Sequence, residues 1–192
     1  YLKPEWFGAK GDGVHDDQSA FYQAIELGKK LVLEKKTYRI ASTSSWIVFP
    51  LKQDLEIDGN GATILLPQSI YDNQRSVLLF SDKEEPQKSR KKFHDFNIIA
   101  EVDNDPKYDY NFYLFNLYSE NVIFENVSIN NKGKTNGLNC ITIGYAKNLS
   151  IDNCHFDNQH QGKRGGIMWM MLKDKPEGDI TNVTIKNSSF VH

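Results

Sequence analysis

One six-residue phrase occurs three times in this sequence and constrains the fold more than any other feature. The copies occupy residues 121–126, 148–153 and 182–187, and each begins and ends with asparagine. The second and fourth residues of every copy are apolar and the third and fifth are mostly polar, which is the two-residue period of a strand with one buried face. A single unit of this kind cannot bury that face, so neighbouring units must stack. The repeat therefore predicts an all-β solenoid of parallel coils, about 4.8 Å apart.

The closing asparagines of the phrase, Asn126, Asn153 and Asn187, are expected to lie above one another at a turn. Asparagine tolerates left-handed backbone, and its amide can hydrogen bond to the next asparagine in the stack. We expect this ladder to be structural, because side-chain amides at turns mainly hydrogen bond to nearby backbone groups. Weaker copies of the phrase are predicted at residues 54–59 and 95–98, and additional strands at residues 112–118, 140–145 and 167–172.

Residues 1–50 lack the phrase and are expected to form an N-terminal cap and the first coil. A helix is predicted from four apolar residues at helical spacing, Ala20, Phe21, Ala24 and Ile25. It should begin after Asp17, which would cap it, and stop at Gly28. Residues 51–192 are expected to form the parallel coils of the same domain. No capping pattern follows Phe190, so we expect further coils in a longer parent chain.

Composition excludes several function classes. The formal net charge of −2 and the pI near 6.2 argue against a nucleic-acid binder. The one basic cluster, Lys88, Arg90, Lys91 and Lys92, is predicted to be a solvated loop. No apolar run reaches the roughly 20 residues of a membrane helix, so membrane insertion is not expected. Cys140 and Cys154 are too few for a disulfide framework and lack metal-binding spacing.

The segment 6–20, Trp-Phe-Gly-Ala-Lys-Gly-Asp-Gly-Val-His-Asp-Asp-Gln-Ser-Ala, resembles the N-terminal signature of the pectate-lyase-like superfamily. That group includes phage tailspikes, capsule depolymerases, polygalacturonase relatives and epimerases. The resemblance implies a right-handed, single-stranded parallel β-helix with an N-terminal capping α-helix. Two departures lie in the cap: His15 stands where threonine is usual, and the triplet 34–36 replaces a proline-containing turn. The aspartates of the signature, Asp12, Asp16 and Asp17, are expected to stabilise turns and the helix end rather than to catalyse.

The same resemblance implies a polysaccharide-degrading enzyme, either a glycoside hydrolase or a lyase. Its substrate would be a bacterial surface polysaccharide or another acidic polysaccharide. Such a protein is expected to be extracellular or part of a virion, and a tailspike would be a homotrimer. The alternative is a tail-fibre or adhesin shaft that binds glycan without cleaving it.

Catalytic candidates follow from the phrase itself. Glu125 and Asp152 occupy equivalent outward positions in successive coils. Their backbones should lie about 4.8 Å apart, close to the separation of about 5 to 5.5 Å between the carboxyl groups of retaining glycosidases. His155 would lie in a neighbouring column as a substrate-binding residue. The competing interpretation is a surface charge ladder in which Lys186 neutralises Asp152.

Two polar segments provide the remaining candidates. In the glycine-rich stretch 158–166, Lys163 and Arg164 could hold a substrate carboxylate and His160 could remove a proton, with Trp169 following in the next strand. A solvated loop is the competing interpretation.

The acidic and aromatic stretch 101–110 contains the second set. Asp103 and Asp105 are candidate acids, and Tyr108 and Tyr110 are candidate rings for stacking on sugars. The Asp-x-Asp spacing also suggests calcium, although the glycine and glutamate of an EF-hand are lacking. No other cofactor is expected.

Overall fold

The computed structural model describes residues 1–41, 47–70, 76–82, 87–101, 111–133, 138–157, 168–170 and 180–191. Parallel β-strands dominate this part of the chain, with a single α-helix, α1 (Gln18–Leu27). The first seven strands are β1 (Asp12–Asp16), β2 (Lys30–Val32), β3 (Thr37–Arg39), β4 (Ile47–Leu51), β5 (Leu55–Leu66), β6 (Ser76–Asp82) and β7 (Gln87–Ala100). The others are β8 (Asn111–Asn131), β9 (Leu138–Tyr145), β10 (Asn148–Asp152), β11 (His155–Asp157), β12 (Met168–Met170), β13 (Val183–Lys186) and β14 (Ser189–Val191). Among the residues described, no helix has the length and apolar character needed to cross a membrane.

The chain alternates between two stacks of parallel strands. One stack, sheet A, runs in the order β1, β3, β5, β7, β8, β10 and β13, and the other, sheet B, in the order β4, β6, β8, β9 and β12. The 21-residue strand β8 takes part in both, so the two stacks join into one curled sheet. This confirms the predicted parallel stacking. The predicted strands at 112–118 and 140–145 are the first part of β8 and most of β9.

The three copies of the phrase pair residue for residue. Leu149 of β10 is aligned with Val122 of β8 on one side and with Val183 of β13 on the other. Asn126, Asn153 and Asn187 have φ values of 53°, 50° and 51°, which confirms the expected left-handed turn. Their amides do not form one uniform ladder: Asn153 Nδ2 donates to Asn126 Oδ1 at 2.8 Å, whereas Asn187 Nδ2 donates to Asp152 Oδ1 at 3.0 Å.

A second amide ladder runs through the first residue of each phrase. Asn148 Nδ2 donates to Asn121 Oδ1 at 2.8 Å, and Asn182 Nδ2 donates to Asn148 Oδ1 at 3.1 Å. Asn148 is a strand residue and is not among the residues with positive φ. The coils are therefore joined by side-chain amides at both ends of the phrase.

Stacked aromatic rings fill the space between the two stacks. Phe49, Phe80 and Phe115 come from successive strands of sheet B, with ring centroids 5.2 and 5.3 Å apart. Phe93 and Phe124 face them from sheet A, 5.3 Å from each other, and Phe93 lies 4.8 Å from Phe115. All five side chains are fully buried. Each aromatic pair in this core adds about 0.5–1.5 kcal/mol to the stabilisation from burial.

Helix α1 covers one end of this aromatic core. Its four predicted apolar residues are buried, and the ring of Phe21 lies 5.1 Å from Tyr38 and 6.0 Å from Phe49. The predicted helix is confirmed, but the predicted capping role of Asp17 is wrong. Asp17 occupies the N-cap position without a side-chain capping bond, because its carboxylate accepts the backbone N–H groups of Lys10 and Gly11 instead, at 2.6 and 3.2 Å.

The structure contradicts the prediction that the basic cluster is a solvated loop. Residues 88–92 lie within strand β7, and Lys91 is fully buried. Lys91 is aligned with Leu55 and Val122, so it occupies an inward position that apolar residues fill in the neighbouring coils. The phrase copy predicted at 95–98 is displaced because Lys91 occupies the first apolar position of the true copy. Phe93 pairs with Phe124, which places Asp95 at the end of the copy rather than at its start.

Candidate functional site

Outward side chains of sheet A form two columns of charged groups, because the strands pair in register. The first column consists of Asp58, His94, Glu125, Asp152 and Lys186, one residue each from β5, β7, β8, β10 and β13. The second consists of Lys30, Glu56 and Lys92, from β2, β5 and β7. These eight residues and Asp95, in the adjoining turn, are named the charged face. Neighbouring members of a column belong to strands about 4.8 Å apart.

His94 lies at the centre of the described part of this face and is nine-tenths buried by its neighbours. Its Nδ1 lies 2.7 Å from Asp95 Oδ2, and its Nε2 lies 3.2 Å from Glu56 Oε1. Asp58 Oδ1 is 4.0 Å from Nδ1. A neutral imidazole has a single N–H, so only the protonated ring can donate to both carboxylates at once.

The neighbours of His94 keep its two carboxylate partners ionised. The hydrogen bond from Lys30, supported by that from His94, lowers the pKa of Glu56. The hydrogen bonds from His94 and then Asn126 lower the pKa of Asp95. The distances are 2.7 Å from Lys30 Nζ to Glu56 Oε1 and 2.7 Å from Asn126 Nδ2 to Asp95 Oδ1. These carboxylates can accept hydrogen bonds from sugar hydroxyls, but they are poorly suited to donating a proton at neutral pH.

Glu125 and Asp152 are neighbours in the first column, as the phrase predicts. Asp152 Oδ2 lies 3.1 Å from Lys186 Nζ, which is the ion pair that the neutralising interpretation predicts. The hydrogen bond from Asn187, followed by that from Lys186, lowers the pKa of Asp152. Glu125 Oε2 lies 3.1 Å from Lys92 Nζ, and the Glu125 side chain is 47% exposed, against 30% for Asp152. Their catalytic roles remain predictions.

His155 lies in the predicted neighbouring column, aligned with Ser128 of β8 and Ser189 of β14. Its Nδ1 is 2.6 Å from Ser189 Oγ, and the ring is exposed. This column runs beside the first one, on the other side of the left-handed turn.

The remaining candidates fall outside the described residues. This applies to Asp103, Asp105, Tyr108 and Tyr110, and to His160, Lys163 and Arg164. The backbone of Trp169 lies in β12, paired with Thr142 of β9, and its side chain is outside the description. The calcium suggested by Asp-x-Asp stays a prediction for the same reason.

Three residues of the charged face could together hold a metal ion. Asp58, His94 and Asp95 each offer a ligand atom, and these atoms lie within 4.8 Å of one another. Calcium requires six to eight oxygen ligands, whereas this set provides one nitrogen and two carboxylates. The set therefore matches a transition metal better than calcium.

Sequence inspection missed the cluster around His94. Glu56 and His94 are 38 residues apart in the chain and meet only because β5 and β7 pair in register. A signal was present in Lys92-Phe93-His94, which has the polar-apolar-polar alternation of Ser150-Ile151-Asp152 and Thr184-Ile185-Lys186. The lysine at position 91, where the other copies have an apolar residue, concealed it.

Comparison with models of known protein families, with curated proteins and with solved structures finds no match to this chain.

Proposed function

We propose that this chain belongs to a right-handed parallel β-helix of the pectate-lyase-like type that binds a polysaccharide across its charged face and hydrolyses it. The observation that carries the proposal is the in-register column containing Glu125 and Asp152. A saccharide that crosses the strands meets a polar side chain about every 4.8 Å. That interval is close to the carboxyl separation of about 5 to 5.5 Å in retaining glycosidases.

The two carboxyl groups receive different roles in this proposal. The lowered pKa of Asp152 keeps it a carboxylate at neutral pH, which suits a nucleophile or a group that stabilises positive charge on the sugar. Glu125 is then the candidate proton donor to the leaving oxygen, because a retaining mechanism needs the second carboxyl group of the pair in that role. Substrate binding would have to displace Lys92 from Glu125 before that transfer.

The experiment compares the wild-type protein with its Glu125→Gln and Asp152→Asn variants. Bacterial capsular and plant polysaccharides, both neutral and acidic, are incubated with each protein. Reducing ends report hydrolysis, and absorbance from unsaturated uronates reports β-elimination. We expect reducing ends without that absorbance, and a loss of about 10²- to 10⁴-fold in either variant, the usual contribution of a general acid or base.

Glu120→Gln is the matched control. Glu120 lies in the same strand β8 and forms an ion pair with Lys147 at 2.5 Å, but it belongs to neither column of the charged face. Its replacement should leave the rate unchanged. Wild-type rates in both the Glu125 and Asp152 variants would contradict the assignment, and unsaturated products would replace hydrolysis with elimination.

A second candidate function is glycan binding without cleavage. The observation in its favour is that Glu56, Glu125 and Asp152 already form ion pairs with Lys30, Lys92 and Lys186. If the protein binds a polysaccharide on an affinity column and cleaves none of the panel, the binding function replaces the hydrolytic one.

A further inference from the structure

Lys91 and Asp82 form a fully buried pair inside the core, away from the charged face. Both side chains have 0% exposure, and Lys91 Nζ lies 3.2 Å from Asp82 Oδ1. Asp82 ends strand β6 of sheet B, and Lys91 lies in strand β7 of sheet A. The contact therefore joins the two stacks across the interior.

Hydrogen bonds hold the Asp82 carboxylate at one oxygen and leave the other facing the amine. Oδ2 accepts the backbone N–H of Tyr118 at 2.9 Å and the hydroxyl of Ser119 at 2.6 Å. Oδ1 accepts no hydrogen bond among the described residues, and its contact with Lys91 Nζ is close in distance but outside hydrogen-bond geometry. Two donors on Oδ2 form the kind of arrangement that stabilises negative charge developing on that atom.

The Lys91 amine is also fixed in position. Nζ donates to the backbone carbonyl of Gln53 at 2.5 Å and to Ser89 Oγ at 3.0 Å. Ser89 Oγ lies 2.9 Å from Ser119 Oγ, so the serines connect the amine to the far oxygen of the carboxylate. A nucleophile and an acyl group held in contact in this way react with the advantage of an intramolecular reaction.

The surroundings favour a neutral product over an ion pair. Phe80 precedes Asp82 by two residues and Phe93 follows Lys91 by two, and the two rings lie 5.6 Å apart beside the pair. Taking two charges out of water is costly, and their mutual attraction often fails to offset that cost. An amide carries no charge, and exclusion of water removes the reactant that would hydrolyse it.

We propose that Lys91 and Asp82 condense after folding to form an isopeptide bond. The ammonium transfers one proton to Oδ1, and the neutral amine attacks Cγ while Tyr118 N–H and Ser119 hold Oδ2. The new nitrogen then transfers a second proton to Oδ1, which leaves with both as water. Oδ2 remains as the amide oxygen. The step forms one C–N bond, breaks one C–O bond and requires no oxidant or further reactant.

The test is the intact mass of the purified chain, followed by a peptide map after unfolding and trypsin digestion. We expect the chain to be lighter than its sequence mass by one water molecule. The map should contain a branched peptide in which residues 76–83 are joined to residues 91–92, with no cleavage after Lys91. The full sequence mass overturns the proposal. A loss of one water molecule in a chain whose two peptides remain separate also overturns the proposal, because formation of a cyclic imide at an aspartate releases water without joining the peptides.

Two variants make the test specific. Lys91→Arg keeps a positive charge opposite Asp82 but provides a poor nucleophile, so its chain should retain the full mass. Ser119→Ala removes one donor to Oδ2 and should slow the mass change roughly 10²-fold in freshly translated protein. A water loss in the Lys91→Arg chain, or an unchanged rate in the Ser119→Ala chain, contradicts the mechanism. Neither result depends on the polysaccharide assay.

Discussion

The left-handed turn that closes each phrase can be separated experimentally from the amide ladder that runs along it. Asn153 has both features, a φ of 50° and a hydrogen bond to Asn126 of 2.8 Å. Asn148 has ladder bonds to Asn121 and Asn182, but it lies in strand β10 and is not among the residues with positive φ. The two positions therefore form a matched pair, and we expect Ala and Gly substitutions to rank in opposite order at them.

At position 153 both substitutions remove the ladder bond, at a cost of about 0.5–1.5 kcal/mol, nearer the lower end because the amide is exposed. Alanine additionally places a Cβ in left-handed backbone, at about 1–2 kcal/mol. Asn153→Ala should thus cost about 2 kcal/mol and Asn153→Gly about 1 kcal/mol. At position 148 glycine is the worse residue, because a strand glycine costs about 0.5–1 kcal/mol relative to alanine.

The assay is urea denaturation of the four variants and the wild type, with the free energy of unfolding taken at a common m value. The difference between alanine and glycine is the informative quantity, since it cancels the shared loss of the amide. If alanine and glycine rank in the same order at positions 148 and 153, left-handed backbone is not what selects asparagine at the turn.

Three further outcomes are expected. Phe93→Ala should lower the free energy of unfolding, measured in urea, by about 3–5 kcal/mol, because the ring is fully buried among three others. Phe190, which is 37% exposed, is the comparison, and a cost of Phe93→Ala no larger than that of Phe190→Ala would refute this account. Burial raises the pKa of Cys140 to about 12, so a thiol reagent at pH 8 should label it only after denaturation, and labelling of the native chain would contradict its burial. The hydrogen bond from His94 is the main cause of the lowered pKa of Asp95. The ionised Asp95 carboxylate therefore stabilises the fold above its unfolded pKa of about 3.9, and this stabilisation disappears as the pH falls through its lower pKa in the folded chain. Thermal melts between pH 7 and pH 2 should therefore fall less steeply for Asp95→Asn than for the wild type, and parallel curves would exclude this contribution.

The sequence predicts this fold well where local pattern and tertiary environment agree. The strict copies at 121–126, 148–153 and 182–187 define their own register, because an apolar residue in the wrong phase would face water. Lys91 breaks the pattern, and its partner Asp82 comes from the other stack. No local rule contains that information, so the sequence predicts a loop where strand β7 lies and begins at Asp95 a copy that ends there.

The candidate site likewise has one part that the sequence predicts and another part that it does not. The pairing of Glu125 with Asp152 follows from phrase position alone, since the two copies share their terminal asparagines and their inward apolar positions. The position of His94 between Glu56 and Asp95 depends on the register of two weaker copies. The sequence therefore predicts the regular part of the charged face and misses the irregular part, where the titratable groups are most densely packed.

The charge of this face bears on the choice between hydrolysis and elimination. Among the described residues it has five carboxylates, Glu56, Asp58, Asp95, Glu125 and Asp152, and three ammonium groups, Lys30, Lys92 and Lys186. Even with His94 protonated, the carboxylates are in excess. A polyuronate would bring like charges together, at a cost that only bound cations could offset. Elimination requires such a polymer and a basic group beside its carboxylate, whereas hydrolysis of a neutral or sparsely charged glycan requires carboxylates alone. Within the proposed function, the excess of carboxylates on this face thus favours hydrolysis over elimination, and it favours polymer segments with few acidic groups.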